Sequence, residues 1–216
     1  MFESMFTLPV EEGNIRVRPE LGGGSLYDIG IYCINAARYL FRDEPTEVVA
    51  ASFNGGDPRF EGVDEATTGI LRFPGDRVAT FTSSFGVASG ESYRVLGTKG
   101  SLRVEPVYGY AEDLKHFLTI DGKTKERTFK QRDHFAPQLE ELAACIREDR
   151  EPEPNGHEGL ADVRIIEALY KSAIERRPIQ VANGVRRARP SIEQMITKPA
   201  VKKPKLVKVE SASGDR

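Results

Sequence analysis

Residues that ligate metals or staple small folds are scarce in this sequence. Two cysteines and three histidines are spread over 216 residues. Cys33 and Cys145 lie inside apolar helical patterns, where a cysteine acts as a small hydrophobe, so no disulfide scaffold is indicated. His116, His134 and His157 show no ligand spacing among themselves or with the cysteines, which leaves no metal site to propose. Charge of one sign is missing too: 31 Lys and Arg stand against 33 Asp and Glu, a net charge of −2. That balance gives nucleic acid or an anionic membrane no electrostatic grip. No apolar run approaches the about 18 residues of a membrane span, and "MFESMFTLPV" at the start lacks the basic region and apolar core of a signal peptide. A reducing cytoplasm is therefore the expected compartment.

What the chain does have is a core's worth of apolar residues, 39%, with 30% charged, enough for one domain. Residues 46–130 read as short strands: "TEVVAASF", "ATTGILRF", "RVATFTSSF", "ESYRVLGT", "GSLRVEP", "HFLTID" and "KERTFK". Turn chemistry such as "FPGDR" and "GTKGS" separates them about every ten residues, the spacing of an antiparallel meander. In "RVATFTSSF", Val78, Thr80, Thr82 and Ser84 alternate with Ala79, Phe81, Ser83 and Phe85, so one face suits a core and the other suits water or a partner.

Helical periodicity covers 24–41, 133–149 and 156–177. Asp133 and Asn155 are candidate caps, with Pro137 moving the regular part of the second helix to about 136. The "REPEPN" loop at 150–155 joins the second and third helices, predicting a packed hairpin, and "PIQVA" reads as a last strand. Strands grouped rather than alternating with helices predict an α+β fold: an open, mainly antiparallel sheet with helices on one face and no Rossmann unit. The domain is expected over 1–190, with 191–216 an extended or disordered basic and polar tail. The lysine-rich "KPAVKKPKLVKVE" fits a tail better than a binding arm, and "GVRRARP" at 184–190 fits the exposed end of the fold.

Gly22, Gly23 and Gly24 precede the first helix. They would allow a tight lead-in, or a close approach to a ligand with backbone N–H groups free for an anion. They lack the G-x-G-x-x-G spacing and the preceding strand of a dinucleotide loop. Beyond them, Asp28, Tyr32, Asn35 and Tyr39 recur on one helical face, with Gly30 making room beside them. A carboxylate there can orient a hydroxyl, and a tyrosine can exchange a proton with a carbinol oxygen if a nearby cation lowers its pKa. Alternatively, Asp28 is simply an acid favoured at a helix start. Asp64 and Glu65 read as a solvated loop before a strand.

The stretch "GNIRVRPELGGGSLYDIGIYCINAARYL" resembles the central motif of the Gfo/Idh/MocA oxidoreductases, in the branch of the glucose–fructose oxidoreductases and the aldose and dihydrodiol dehydrogenases. "GVDEATTGILRFPGDRVATFTSSF", "YRVLGTKGSLRVE", "HFAPQLEELAACIRE" and "GHEGLADVRIIEALYKSA" extend the resemblance in order from about residue 2 to 190. It implies the second, substrate and dimerisation domain of that family. Tyr32 would exchange the proton of a sugar or polyol hydroxyl, and Asp28 would orient the substrate. Arg16, Arg18 and Asn35 would bind substrate, the two arginines alternatively a cofactor phosphate or else serving only as strand-edge surface charges, and Gly22, Gly23 and Gly24 would lie against the cofactor. NAD(P) is the cofactor implied for the full-length family, and a homodimer through the open sheet face is the implied assembly. The family's nucleotide-binding first domain and its Glu-Lys-Pro lysine are not found in this sequence. The chain alone is therefore expected to bind no cofactor and to be catalytically incompetent. The other reading is a binding or assembly module that kept only the fold.

Overall fold

The structure is a computed structural model that describes residues 1–182 and 191–200. In the first strand, β1 (Phe2–Thr7), Phe2, Ser4 and Phe6 point to one face while Glu3 and Met5 point to the other, as the two-residue period of a strand requires. The next strands are β2 (Glu47–Phe53), β3 (Ala66–Phe73), β4 (Arg77–Ser84), β5 (Gly90–Gly97), β6 (Gly100–Val104), β7 (Leu114–Ile120), β8 (Lys123–Phe129) and the short β9 (Ile179–Gln180). They form one open sheet in the order β8-β7-β6-β5-β1-β4-β3-β2-β9. All pairings are antiparallel except β1 with β4, because β1 is inserted between β5 and β4. The α+β, mainly antiparallel sheet expected from the strand pattern is what the chain folds into.

Three helices accompany the sheet: α1 (Ile31–Phe41), α2 (Ala136–Glu148) and α3 (Gly156–Glu175). Two of them cover one face of β1 to β4. Cys33, Ile34 and Ala37 of α1 and Ile165, Ile166 and Leu169 of α3 are buried against Phe2, Val48, Leu71, Ala79 and Phe81. The aromatic face of β4 is thus the core face. Helix α3 comes so close to the sheet that a Cβ on Gly69 would lie 3.0 Å from Leu169 Cδ2 and 2.4 Å from Phe81 Cε1. Any larger residue there would force the layers apart.

Helix α2 departs from expectation. Asp133 caps it as anticipated, its Oδ1 accepting from the N–H groups of Phe135 (2.8 Å) and Ala136 (3.1 Å). Yet the apolar stripe of Phe135, Leu139, Leu142 and Ile146 stays exposed, Leu139 at 69% and Ile146 at 74%. The predicted packing of a hairpin with α3 is therefore not formed. The sheet's helix-covered region is already filled by α1 and α3. The segment 191–200 returns beside α2: the Lys198 ammonium pairs with Glu140 at 2.6 Å, and the N–H of Asp133 donates to the Pro199 carbonyl. "GVRRARP" and the tail beyond Ala200 lie outside the described residues.

The packing layer between α1 and α3 contains a fully buried arginine. Arg38 donates to Glu44 at 2.6 Å and 2.8 Å, to Asp162 at 2.6 Å and to Glu158 at 3.1 Å. A buried guanidinium needs such partners, since removing it from water is otherwise prohibitive.

Candidate functional site

The helix expected over 24–41 begins with one wide turn, Leu26–Gly30, before the regular α1. Such π-type turns are uncommon and recur at functional positions. Just ahead of it, the glycine triplet folds back on residues 16–19. The N–H groups of Gly22, Gly23 and Gly24 donate to the carbonyls of Pro19 (3.1 Å), Arg18 (3.0 Å) and Arg16 (2.9 Å). A Cβ on Gly23 would lie 2.6 Å from the Arg16 carbonyl oxygen, and one on Gly24, at φ +122°, would lie 2.4 Å from Asp64 Oδ1. The glycines are there because the backbone must pass this close and turn left-handed. Their amides are all engaged, so the free N–H groups anticipated for an anion are absent, and the triplet does not fit as a pyrophosphate cradle.

The fold brings Asp28, Arg16 and Tyr32 together. Arg16 Nε donates to Asp28 Oδ2 at 2.6 Å, with both side chains about one-third exposed (33% and 32%). Tyr32, one helical turn further on, is 48% exposed. Its ring meets Phe6 edge-on at 5.4 Å and Tyr108 at 5.7 Å. The lowered phenol pKa anticipated for Tyr32 is not found. Burial raises it first and the Asp28 charge raises it further, while Arg16 lowers it too little to win. Burial is the first cause, and geometry adds to it: the cation that could stabilise a phenolate is held by Asp28.

Other predicted residues are placed elsewhere. Arg18 pairs with the exposed Glu20. Asn35 donates its amide to Asp162 Oδ2 at 3.1 Å, joining the Arg38 network rather than the Asp28 group. Gly30 is buried, and a Cβ there would meet Leu26 Cδ1 at 2.9 Å and Ser83 Oγ at 3.1 Å. It makes room for β4, not for a ligand.

Two acids that reading the sequence passed over turn out to be central. Asp64 is buried, not solvated. Its Oδ2 accepts from Ser25 Oγ (2.6 Å), Leu26 N (2.9 Å) and Thr67 Oγ1 (3.0 Å), and its Oδ1 from the Tyr170 hydroxyl (2.5 Å). It ties the start of the helical turn to β3 and α3. Only Thr67 lies within "GVDEAT"; the other three donors come from two distant segments, 25–26 and Tyr170, which the local sequence does not signal. Glu91 on β5 is buried beside the same aromatic group. Its Oε2 accepts from the Tyr108 N–H at 2.6 Å, and its Oε1 has no partner among the described residues. Burial pushes its pKa up to about 7. Tyr108, in turn, is fixed by a 2.6 Å hydrogen bond to Ser4 Oγ and by stacking on Phe6 at 5.1 Å. The wall behind Tyr32 is therefore rigid. Among the described residues no His, Cys, Asp or Glu cluster is arranged to hold a metal ion, and no helix is long and apolar enough to cross a membrane.

The site is thus a carboxylate and a phenol one turn apart at the start of the first helix, on an open, mainly antiparallel sheet covered on one face. Residues 1–103 match the GFO/IDH/MocA C-terminal domain, and the chain belongs to that family. It is 33% identical to a D-xylose 1-dehydrogenase (NADP+) of Haloferax volcanii over 170 residues, 78% of this chain and 51% of that protein. A trans-1,2-dihydrobenzene-1,2-diol dehydrogenase of Xenopus tropicalis is 27% identical over 74% of the chain and 48% of its own length. Among solved structures, the aldose-aldose oxidoreductase of Caulobacter crescentus, complexed with glycerol, superimposes with a TM-score of 0.76. It is 34% identical, and the match covers 83% of this chain and 55% of that one. The chain spans about half the length of the curated relatives it matches.

Proposed function

We propose that the chain is the substrate-binding half of an NAD(P)-dependent oxidoreductase that acts on a CH–OH group of a sugar or polyol. The observation that carries this is the Arg16–Asp28 pair set beside Tyr32 on a rigid aromatic wall. Asp28 orients the substrate hydroxyl, Arg16 fixes that carboxylate, and Tyr32 exchanges the hydroxyl proton. With its pKa raised, Tyr32 is a phenol at neutral pH and is ready to donate a proton to a forming alkoxide. To accept one it needs positive charge beyond Arg16, which the family resemblance would supply from a lysine outside this chain. Arg18 and Asn35 retain supporting roles, Arg18 at the exposed rim and Asn35 through its bond to Asp162.

NAD(P) is the hydride carrier of this reading, consistent with the NADP+ named for the Haloferax relative. The engaged amides of the glycine triplet support the view that this chain does not hold the cofactor alone. A homodimer through the uncovered sheet face is favoured by Met5, Phe53 and Ile70, which are exposed there among small residues such as Thr68 and Thr82. Two free, buried cysteines suit a reducing cytoplasm.

The test joins this chain to the part of the Haloferax volcanii enzyme that it does not cover. Aldose-dependent reduction of NADP+ is expected from the chimera, while this chain alone is expected to show neither turnover nor a thermal shift with NADP(H). A folded chimera inert toward a panel of aldoses and polyols would leave the non-catalytic module as the better reading.

A further inference from the structure

Beside the glycine triplet lies a cleft of about 480 Å³ that none of Arg16, Asp28 or Tyr32 lines. We propose that this cleft is a separate binding site for a neutral polyol or monosaccharide, built from Tyr27, Tyr170, Asn54 and Asp64. Its volume falls in the range of small-molecule sites, about 300–1,000 Å³. The proposal does not depend on the chemistry assigned to Tyr32.

The ligand class follows from the lining. Tyr27 and Tyr170 lie 5.6 Å apart at 37°, both against the cleft, and their ring faces carry negative potential. Sugar C–H bonds, slightly positive, settle on such faces, which a fully hydrated ion would not. The polar groups are complementary in direction. The Tyr170 proton is committed to Asp64, so its oxygen faces a ligand with lone pairs only. The Tyr27 hydroxyl makes no hydrogen bond among the described residues, and the Asn54 side-chain nitrogen donates to none of them. One acceptor and two free donor groups around an apolar floor of Val63 and Pro19 match alternating C–H and O–H groups.

Charge excludes the main competitor. No Lys or Arg lines the cleft, and the Asp64 carboxylate is in its wall, so a nucleotide phosphate would be repelled. The site is also preorganised. Asp64 is held by four donors, and Gly62, at φ +81°, brings its backbone against Pro19, where a Cβ would lie 2.9 Å from Cγ. A ligand would not have to order these groups.

Nitrogen-15 NMR on the full chain tests this, with D-xylose and glycerol as probes and nicotinamide mononucleotide and inorganic phosphate as competitors. The amides of Gly22, Gly23 and Gly62 and the side-chain amide of Asn54 should shift on adding D-xylose. Asn54→Ala and Tyr170→Phe should each weaken that response by about tenfold, the effect of one lost hydrogen bond. Asn54 is exposed, so its variant remains informative if a Tyr27 or Tyr170 variant unfolds. Asp28→Asn and Tyr32→Phe should leave the shifts of these four groups in place. Unmoved cleft amides, shifts abolished by Asp28→Asn, or tighter binding of phosphate than of xylose would each overturn the proposal. An inactive chimera in the assay above would not.

Discussion

Asp64 and Asp28 sit on either side of the same helical turn, and their surroundings are opposite. Asp64 is buried with four donors converging on it. Asp28 is one-third exposed, with a single charged partner at 2.6 Å and carboxylate capacity left over. A saturated carboxylate builds structure, since a buried donor such as the Leu26 amide would otherwise be left unpaired. An under-used one at a surface can be offered to a ligand. The contrast gives Asp64 to the scaffold and is what favours Asp28 for the proposed chemistry.

The comparison can be broken in graded steps. Asp64→Ala leaves the Leu26 amide and the Tyr170 hydroxyl without their acceptor, while Ser25 and Thr67 keep Ser83 and Ser52, and should cost about 2–4 kcal/mol in urea unfolding. A loss under about 1 kcal/mol would return Asp64 to the solvated loop. Glu91 gives a smaller, pH-dependent effect. Its folded pKa of about 7 lies above the ordinary 4.5, so the folded state holds the extra proton between these values. Stability from this group is present below pH about 4.5 and declines as pH rises through about 7. Glu91→Gln should flatten that part of the stability profile; an unchanged slope between pH 5 and 7 would show that Glu91 is not the group responsible. Asp28→Asn removes a partly exposed pair and should cost less than about 1 kcal/mol. It should also lower the Tyr32 pKa, since the Asp28 charge raises it while Arg16 lowers it. Carbon-13 tyrosine NMR reads this, and an upward movement would contradict the geometry.

The sheet was legible because its signals are local: period-two alternation in "RVATFTSSF", turn residues every ten positions, and the caps at Asp133 and Asn155. The shared helical face of Asp28 and Tyr32 is a local signal too, but the roles proposed for them come from the family resemblance. What could not be read depends on distant segments meeting. Asp64 looked like a loop acid because Ser25, Leu26 and Tyr170 converge on it only in three dimensions. Arg16 looked like a ligand-binding cation because its pairing with Asp28, 12 residues away, is made by the fold-back at the glycines. The stripe on α2 has a regular period, but periodicity states that a face wants cover, not that the described fold provides it.

The account rests on Tyr32 as the group that exchanges the proton. Its most direct test is Tyr32→Phe in the chimera with the remaining part of the Haloferax enzyme. Removal of the hydroxyl should lower kcat by about 10²–10⁴, the range of general acid–base contributions, with KM for the aldose changed only a few-fold. A Tyr32→Phe enzyme that keeps its kcat would place proton exchange elsewhere and contradict the assignment.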